Sequence, residues 1–321
     1  MFGQILILIL GFALLIWGAD CLVKGASNIA KVLNVSEMVI GLTIVALGTS
    51  LPELLVSIVS ATTGSTDIVM GNVIGSNICN LLLILGVVIV MKPIKLEKDS
   101  IRKNIPLLIG ITVLILIMSL GMFFNTRLKI TKLDGLLLLI IAAIYFAIPI
   151  MDFLKNGNNQ EGKADEENEE SKSLIVKDLI FIVLGGFALK YGGDFAVNSS
   201  VNMAHMLNIS ERVIGLTIVA IGTSLPELIT SIVAILTKND EIAEGNIIGS
   251  CIINATLILG TGAFIADIPL TASHIKDLAL LLVSIVLIWL FALSNKENVL
   301  KREHGITLLL IYIIYSIKLF I

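Results

Sequence analysis

The chain has 321 residues, 56% of them hydrophobic and 15% charged, with a mean hydropathy of +1.00 and a formal net charge of −3. Apolar runs this numerous and this long exceed what a soluble core can use, and they place the chain among polytopic membrane proteins. The mildly acidic balance, with a pI near 5.7, lacks the basic footprint of a nucleic-acid binder.

Ten spans are predicted, near 4–24, 37–63, 68–91, 104–124 and 133–152, then 175–198, 211–237, 242–266, 277–294 and 304–321. The first begins in MFGQILILIL without a positive n-region, which reads as a retained span and not a cleaved signal peptide. Ile105–Phe124 and Gly135–Met151 carry no charge and match the roughly 20 residues a helix needs to cross a bilayer. The tenth is short and interrupted by Lys318. Cys21, Cys79 and Cys251 are odd in number, lie in or beside apolar runs and lack metal-ligand spacing, so they are expected as small buried side chains.

Between the fifth and sixth spans, Asn156–Lys172 reads NGNNQEGKADEENEESK, with no aromatic or β-branched residue. Such a segment cannot bury enough surface to fold alone. It is expected to be a solvated tether, too short for a folded sensor domain, although its acids could attract cations loosely. It divides the chain into 1–153, a linker at 154–173, and 174–321.

The two halves are copies of one unit. Gly41–Glu53 reads GLTIVALGTSLPE and Gly215–Glu227 reads GLTIVAIGTSLPE, and 20 of 25 residues are identical between Ser36–Ser60 and Ser210–Ala234. Five spans is an odd number, so the second copy enters the membrane from the opposite side, and an inverted pair of this kind binds its substrate near the midplane between the repeats. The expected fold is therefore an all-α membrane protein of ten transmembrane helices in two inverted five-helix repeats. Of the 22 Lys and Arg residues, fifteen fall on the side that holds the long central loop and seven on the other. That loop is therefore expected in the cytoplasm and both termini outside.

Glu53 and Glu227 fall in the middle of spans 2 and 7, where an ionisable group costs roughly 3 kcal/mol or more unless it pairs or faces a watery cavity. Neither has a basic partner in its own repeat. Two carboxylates brought together at the midplane repel, and one takes up a proton unless cations neutralise them; a cation site resolves the conflict. Pro52 and Pro226, each one residue earlier, lack an N–H and leave the carbonyls of Gly48 and Gly222 unpaired. Unwound backbone at this depth is tolerated where it lines a cavity or is buried in protein. A lone membrane proline is commonly only a kink, but two copies beside two acids point to ligand duty. Backbone carbonyls with the hydroxyls of Thr49, Ser50, Thr223 and Ser224 then form hard-oxygen sets.

A second repeated motif follows, GNVIGSNICN at Gly71–Asn80 and GNIIGSCIIN at Gly245–Asn254. Helical spacing places Asn72, Ser76 and Asn80 on one face, and Asn246, Ser250 and Asn254 on its counterpart. Asn72 and Asn246 are expected to hydrogen-bond between helices; Ser76, Asn80, Ser250 and Asn254 are expected to be ligands. Gly71 with Gly75, and Gly245 with Gly249, are small-residue pairs that permit close helix approach.

These paired motifs resemble the α-repeats of the calcium/cation antiporter superfamily, most nearly its sodium/calcium exchanger branch, and the resemblance covers the whole chain. It implies three sodium sites and one calcium site between the repeats, used alternately, with Glu53 and Glu227 as shared central ligands and Thr49 and Thr223 serving calcium. It further implies that Ser50, Ser76, Ser224 and Ser250, with the Ala46 and Ala220 carbonyls, complete the sodium sites. Asn80 and Asn254 would line the centre, and spans 1 and 6 would slide to expose the site to one side at a time. Where this chain has Asn254, potassium-dependent relatives, and some others, resemble it except for an Asp, so potassium independence is expected, unless the exchange only tunes affinity. With two carboxylates, one Ca²⁺ gives a neutral site and three Na⁺ leave it at +1, so exchange would be electrogenic. Six to eight oxygens for calcium are within reach of two bidentate carboxylates plus carbonyls or water.

Asp20 and Asp194 match across the repeats and are expected at span ends in structural roles. His205, His274 and His304 show no metal grouping and are expected to be solvated. The expectation is thus a multi-pass cell-membrane antiporter exchanging Na⁺ for Ca²⁺, with no cofactor, no enzymatic activity and no required protein partner. A proton-coupled calcium antiporter and a cation channel are the alternatives. An intramembrane hydrolase built on Ser50 or Ser224 lacks an accompanying histidine, HExxH motif or second catalytic carboxylate.

Overall fold

The computed structural model of the protein describes residues 1–33, 35–120, 128–157, 168–207, 222–294 and 296–320. It is mostly helical. Helix α1 is Phe2–Val32 and α2 is Glu37–Thr49, which passes at a bend of 48° into α3, Leu51–Thr62. Then come α4 (Thr66–Met91), α5 (Ser100–Ser119), α6 (Lys132–Gly157) and α7 (Asn168–Met206). The last four are α8 (Leu225–Leu236), α9 (Asp240–Ile265), α10 (Ala272–Leu293) and α11 (Arg302–Phe320).

Six of these helices are long and apolar enough to cross a membrane by themselves, and the bent pair α2–α3 makes a seventh. The other three expected spans, in α7, α8 and α11, are not among these seven. Helix α7 carries Asp178, Lys190 and Asp194, and α11 carries Arg302, Glu303 and Lys318. Helix α8 covers only the second part of its expected span, because 208–221 lie outside the described residues. Helix α7 has 39 residues, about 58 Å of helix at 1.5 Å per residue, and it begins inside the expected linker, at Asn168. Of that linker, 158–167 lie outside the described residues.

Around an apolar core, burial departs from a soluble protein's in two respects. Large apolar side chains such as Phe2, Ile9, Trp17, Ile144, Val183 and Ile314 are exposed, while Thr49, Ser50, Glu53, Asn77, Asn80, Glu227, Asn246, Ser250 and Asn254 are buried. A hydrocarbon solvent favours that distribution, because polar groups then find partners only inside. All three cysteines are buried and unpaired with one another, as expected.

Helices α1 and α7 pack antiparallel along their length. Gly11 meets Gly192, Gly18 meets Gly185 and Gly25 meets Asp178. A Cβ at Gly18 would lie 2.8 Å from the Gly185 carbonyl oxygen, so the backbones approach as closely as only glycine permits. The expected Gly245/Gly249 pair does the same work between α9 and α2, where a Cβ on Gly249 would sit 2.6 Å from the Leu42 carbonyl. Gly71 and Gly75 meet nothing within 4 Å among the described residues.

Four two-residue strands join loops of one half to loops of the other: β1 (Ile94–Lys95), β2 (Lys129–Ile130), β3 (Ile268–Pro269) and β4 (Val299–Leu300). Strand β1 pairs antiparallel with β4, Ile94 opposite Leu300, and β2 with β3, Ile130 opposite Ile268. They are a small departure from an all-helical fold. Beside them Lys92 binds both carboxylate oxygens of Asp240 at 2.7 Å, and Lys129 binds Asp267 at 2.9 Å. The Lys129 ammonium holds the Asp267 carboxyl below its ordinary range.

Asp20 and Asp194 each pair with a lysine one turn away, Lys24 at 2.7 Å and Lys190 at 2.8 Å, which is a structural role. One expectation is corrected. Two histidines do structural work and are not merely solvated. His274 closes a capping box with Thr271 at the start of α10, and His304 accepts from the Lys301 N–H at 3.1 Å while stacking on Phe291.

Candidate cation site

The break between α2 and α3 follows from Pro52. Ser50 leaves helical geometry at φ −87°, ψ 7°, and the helix restarts at Leu51 with Pro52 in its first turn, where a missing N–H costs nothing. Ser224 repeats the geometry at φ −90°, ψ 7°, with Pro226 in the first turn of α8. Glu53 and Glu227 therefore each stand in the first turn of a helix that begins at depth, where the helix dipole favours negative charge. The break expected from the sequence is present in both copies. Widened π-helical turns lie at Cys79–Ile84 in α4 and Asn254–Ile258 in α9, next to the two motif asparagines. Such turns insert an extra residue per turn and recur at functional sites.

The two halves meet through these residues. Ser50 Oγ donates to Glu227 Oε1 at 3.0 Å. Thr49 Oγ1 donates to Asn246 Oδ1 at 3.0 Å and lies 3.5 Å from Ser250 Oγ. Asn246 Nδ2 donates to the Glu227 carbonyl at 3.3 Å and to Ser231 Oγ at 3.0 Å; Asn72 Nδ2 repeats this with the Glu53 carbonyl at 3.1 Å and Ser57 Oγ at 3.2 Å. Asn72 and Asn246 thus tie each GN helix to each broken helix, as expected. The Ala46 carbonyl accepts from Ser50 N at 3.0 Å and from Thr49 Oγ1 at 3.3 Å. Ser76 is buried one turn from Asn80, Thr223 is half-buried, and Ala220 lies outside the described residues.

What remains unsatisfied is concentrated here. Among the described residues, buried polar atoms without a hydrogen-bond partner include both carboxylate oxygens of Glu53, Glu227 Oε2, Ser224 Oγ, both amide atoms of Asn80, Asn254 Oδ1 and Thr230 Oγ1. Outside these helices, again among the described residues, only Gln4 and Asp134 contribute such an atom. A buried orphan polar group costs about 1–3 kcal/mol, and a carboxylate more. Hard oxygens of this kind are the ligands that Na⁺ and Ca²⁺ take.

Sequence reasoning missed Asn77. Its Nδ2 donates to the Cys251 carbonyl at 3.1 Å and its Oδ1 accepts from Asn254 Nδ2 at 3.1 Å, so it holds α4 against α9 and orients the Asn254 amide. The available signal was a third amide in the GNVIGSNICN run. Glu244, a buried acid just before the second GN motif, was also passed over; it accepts from the Glu97 N–H at 3.1 Å and fixes the loop after α4.

A cavity of about 400 Å³ lies between α3 and α7 and reaches Thr223 and Pro226. Val56 and Ser60 line it from one side, Gly193 and Asp194 from the other. On the corresponding face, α8 packs directly on α1.

A family profile described as "Sodium/calcium exchanger protein" matches residues 3–151 and 177–320. The chain is 35% identical over 350 residues to "Sodium/calcium exchanger MaX1" of Methanosarcina acetivorans, covering 98% of each chain. It is 36% identical to "Putative antiporter CaxA" of Alkalimonas amylolytica, covering 97% of each. Among solved structures, the sodium-calcium exchanger NCX_Mj soaked with 2.5 mM Na⁺ and 0.1 mM Ca²⁺ superposes with a TM-score of 0.81 at 32% identity, covering 97% of this chain and 96% of that one.

Proposed function

Because the chain belongs to the sodium/calcium exchanger protein family, we propose that it is a secondary active antiporter that exchanges Na⁺ for Ca²⁺ by alternating access between two inverted five-span repeats. The observation that carries this reading is the set of unpartnered oxygens of Glu53, Glu227, Ser224 and Asn254, drawn from both copies of the motif and buried at membrane depth.

The site works as a competition for those oxygens. Two carboxylates with a shell of hydroxyls and carbonyls hold one Ca²⁺ as a neutral assembly, or several Na⁺ with an excess positive charge. The two loads cannot coexist, so each displaces the other. Ser50 links the first repeat to the carboxylate of the second, and a cation drawn to Glu227 is thereby registered by both. With Asn254 neutral, no third carboxylate is present to neutralise a further monovalent ion, which supports potassium independence and net charge movement. Ten spans are supported by the antiparallel α1–α7 pair, by the matching breaks at Ser50 and Ser224, and by the exchanged strand pairs β1–β4 and β2–β3. The cavity beside α3 with the packed α8–α1 seam supports a carrier caught open to one face. With both termini outside the cell membrane, that face is the exterior.

The test is calcium uptake into liposomes carrying the purified protein, driven by an outward sodium gradient, with potassium and pH varied separately. Sodium-driven, potassium-independent uptake that disappears in Glu53→Gln and Glu227→Gln is expected. Uptake that follows a pH gradient and ignores sodium overturns the reading in favour of proton coupling, and currents far above carrier rates favour a channel.

A further inference from the structure

The duplication supplies a control for each residue near the site. Within the stretch where 20 of 25 residues agree, Val56 of α3 corresponds to Thr230 of α8, a hydroxyl in place of a methyl at unchanged shape. Ser60 of α3 corresponds in turn to Ala234. Each half therefore carries one hydroxyl along this stripe, but at different depths. Ser60 is seven residues from Glu53, and Thr230 is three residues from Glu227, a difference of four residues or about 6 Å along the helix.

Thr230 is fully buried and its hydroxyl has no partner. This is unusual for the molecule. Thr112, Ser119, Ser199, Thr256 and Ser284, also buried in helices, each donate to the carbonyl four residues earlier, at 2.6–2.8 Å. On the open side, Val56 and Ser60 line the cavity between α3 and α7. Thr230 stands at the equivalent place on α8, the helix now packed on α1.

We propose that Thr230 is a cation-handling residue of the second entrance, the one that opens between α1 and α8. There its hydroxyl is the last oxygen a cation meets before Glu227, at a position where the first entrance offers only Val56. The two entrances are then chemically unequal: the one on the Leu236 face has a polar step close to the carboxylate, and the one on the Thr62 face has its polar step farther out, at Ser60. This inference rests on the exchanger reading, since it needs both entrances to be used.

The experiment measures half-saturating calcium and sodium separately from the two faces, in proteoliposomes of fixed orientation. Thr230→Val keeps the shape and is expected to raise the half-saturating concentration from the Leu236 face roughly two- to tenfold, the range of one neutral hydrogen bond, without moving the value from the Thr62 face. Thr230→Ser is expected to restore the wild-type value, and Val56→Thr to lower the value from the Thr62 face. Equal changes from both faces in Thr230→Val assign the residue a packing role and overturn the proposal, as does no change from either. Absence of sodium-driven exchange in the wild type is a separate outcome and removes the parent reading whatever residue 230 does.

Discussion

Ser50 of the first half donates its hydroxyl to the Glu227 carboxylate of the second across 3.0 Å. The residue that interrupts one helix thus binds the acid that begins the other. Hydrogen bonds to a carboxylate contribute about 1.5–3 kcal/mol. Ser50→Ala is therefore expected to raise the half-saturating cation concentration by roughly one to two orders of magnitude, with the protein still folded. Uptake assays alongside thermal unfolding in detergent check it; wild-type affinity in Ser50→Ala would separate this contact from ion binding.

The halves, the broken helices and the motif positions were legible in the sequence because each is written twice, and a polar residue that recurs at the same place in two apolar runs marks a shared role in the membrane interior. The same reliance on repetition hid what is written once. Asn77 corresponds to Cys251 in the second copy and so fell outside the repeated pattern, although its amide joins the two motifs. Thr230 was invisible for the same reason. Capping by His274 and stacking by His304 depend on loop geometry that residue order does not encode.

Asn246 and Asn72 are equivalent in sequence but unequal in burden. Asn246 is buried and makes three hydrogen bonds, to the Glu227 carbonyl, Ser231 and Thr49; Asn72 is half-buried and makes two. Removing Asn246 strands more buried groups, each worth about 1–3 kcal/mol. Asn246→Ala is therefore expected to lower the unfolding temperature more than Asn72→Ala, and equal or reversed shifts would show that the network does not bear on stability as its geometry implies.

The neutral Asn254 bears on charge movement. If the proposed exchange is of three Na⁺ for one Ca²⁺, as the family resemblance implies, each cycle carries one net positive charge, opposite in direction to calcium. Calcium uptake driven by sodium efflux is then expected to accelerate when the vesicle interior is made positive and to slow when it is made negative. Asn254→Asp adds a third carboxylate near the centre, and uptake in that variant is expected to gain a dependence on potassium or pH that the wild type lacks. A voltage-insensitive wild type contradicts the charge count.

Helices α1 and α7 touch backbone to backbone, which allows a test by the smallest possible addition. A Cβ at Gly18 would fall 2.8 Å from the Gly185 carbonyl oxygen and 2.9 Å from the Ala188 Cβ, both held by helices that cannot shift locally. A Cβ at Gly186, one residue on from Gly185 in α7, meets nothing within 4 Å. Overpacking of this kind costs about 1–3 kcal/mol, whereas glycine to alanine at an open helical position gains up to about 1 kcal/mol. Gly18→Ala is accordingly expected to lower the unfolding temperature and Gly186→Ala to leave it unchanged or raise it. The pair should diverge in uptake as well: Gly18→Ala wedges α1 from α7, the helix that lines the cavity beside α3, and Gly186→Ala does not. Indistinguishable variants would mean that the α1–α7 seam is looser than its glycine spacing requires.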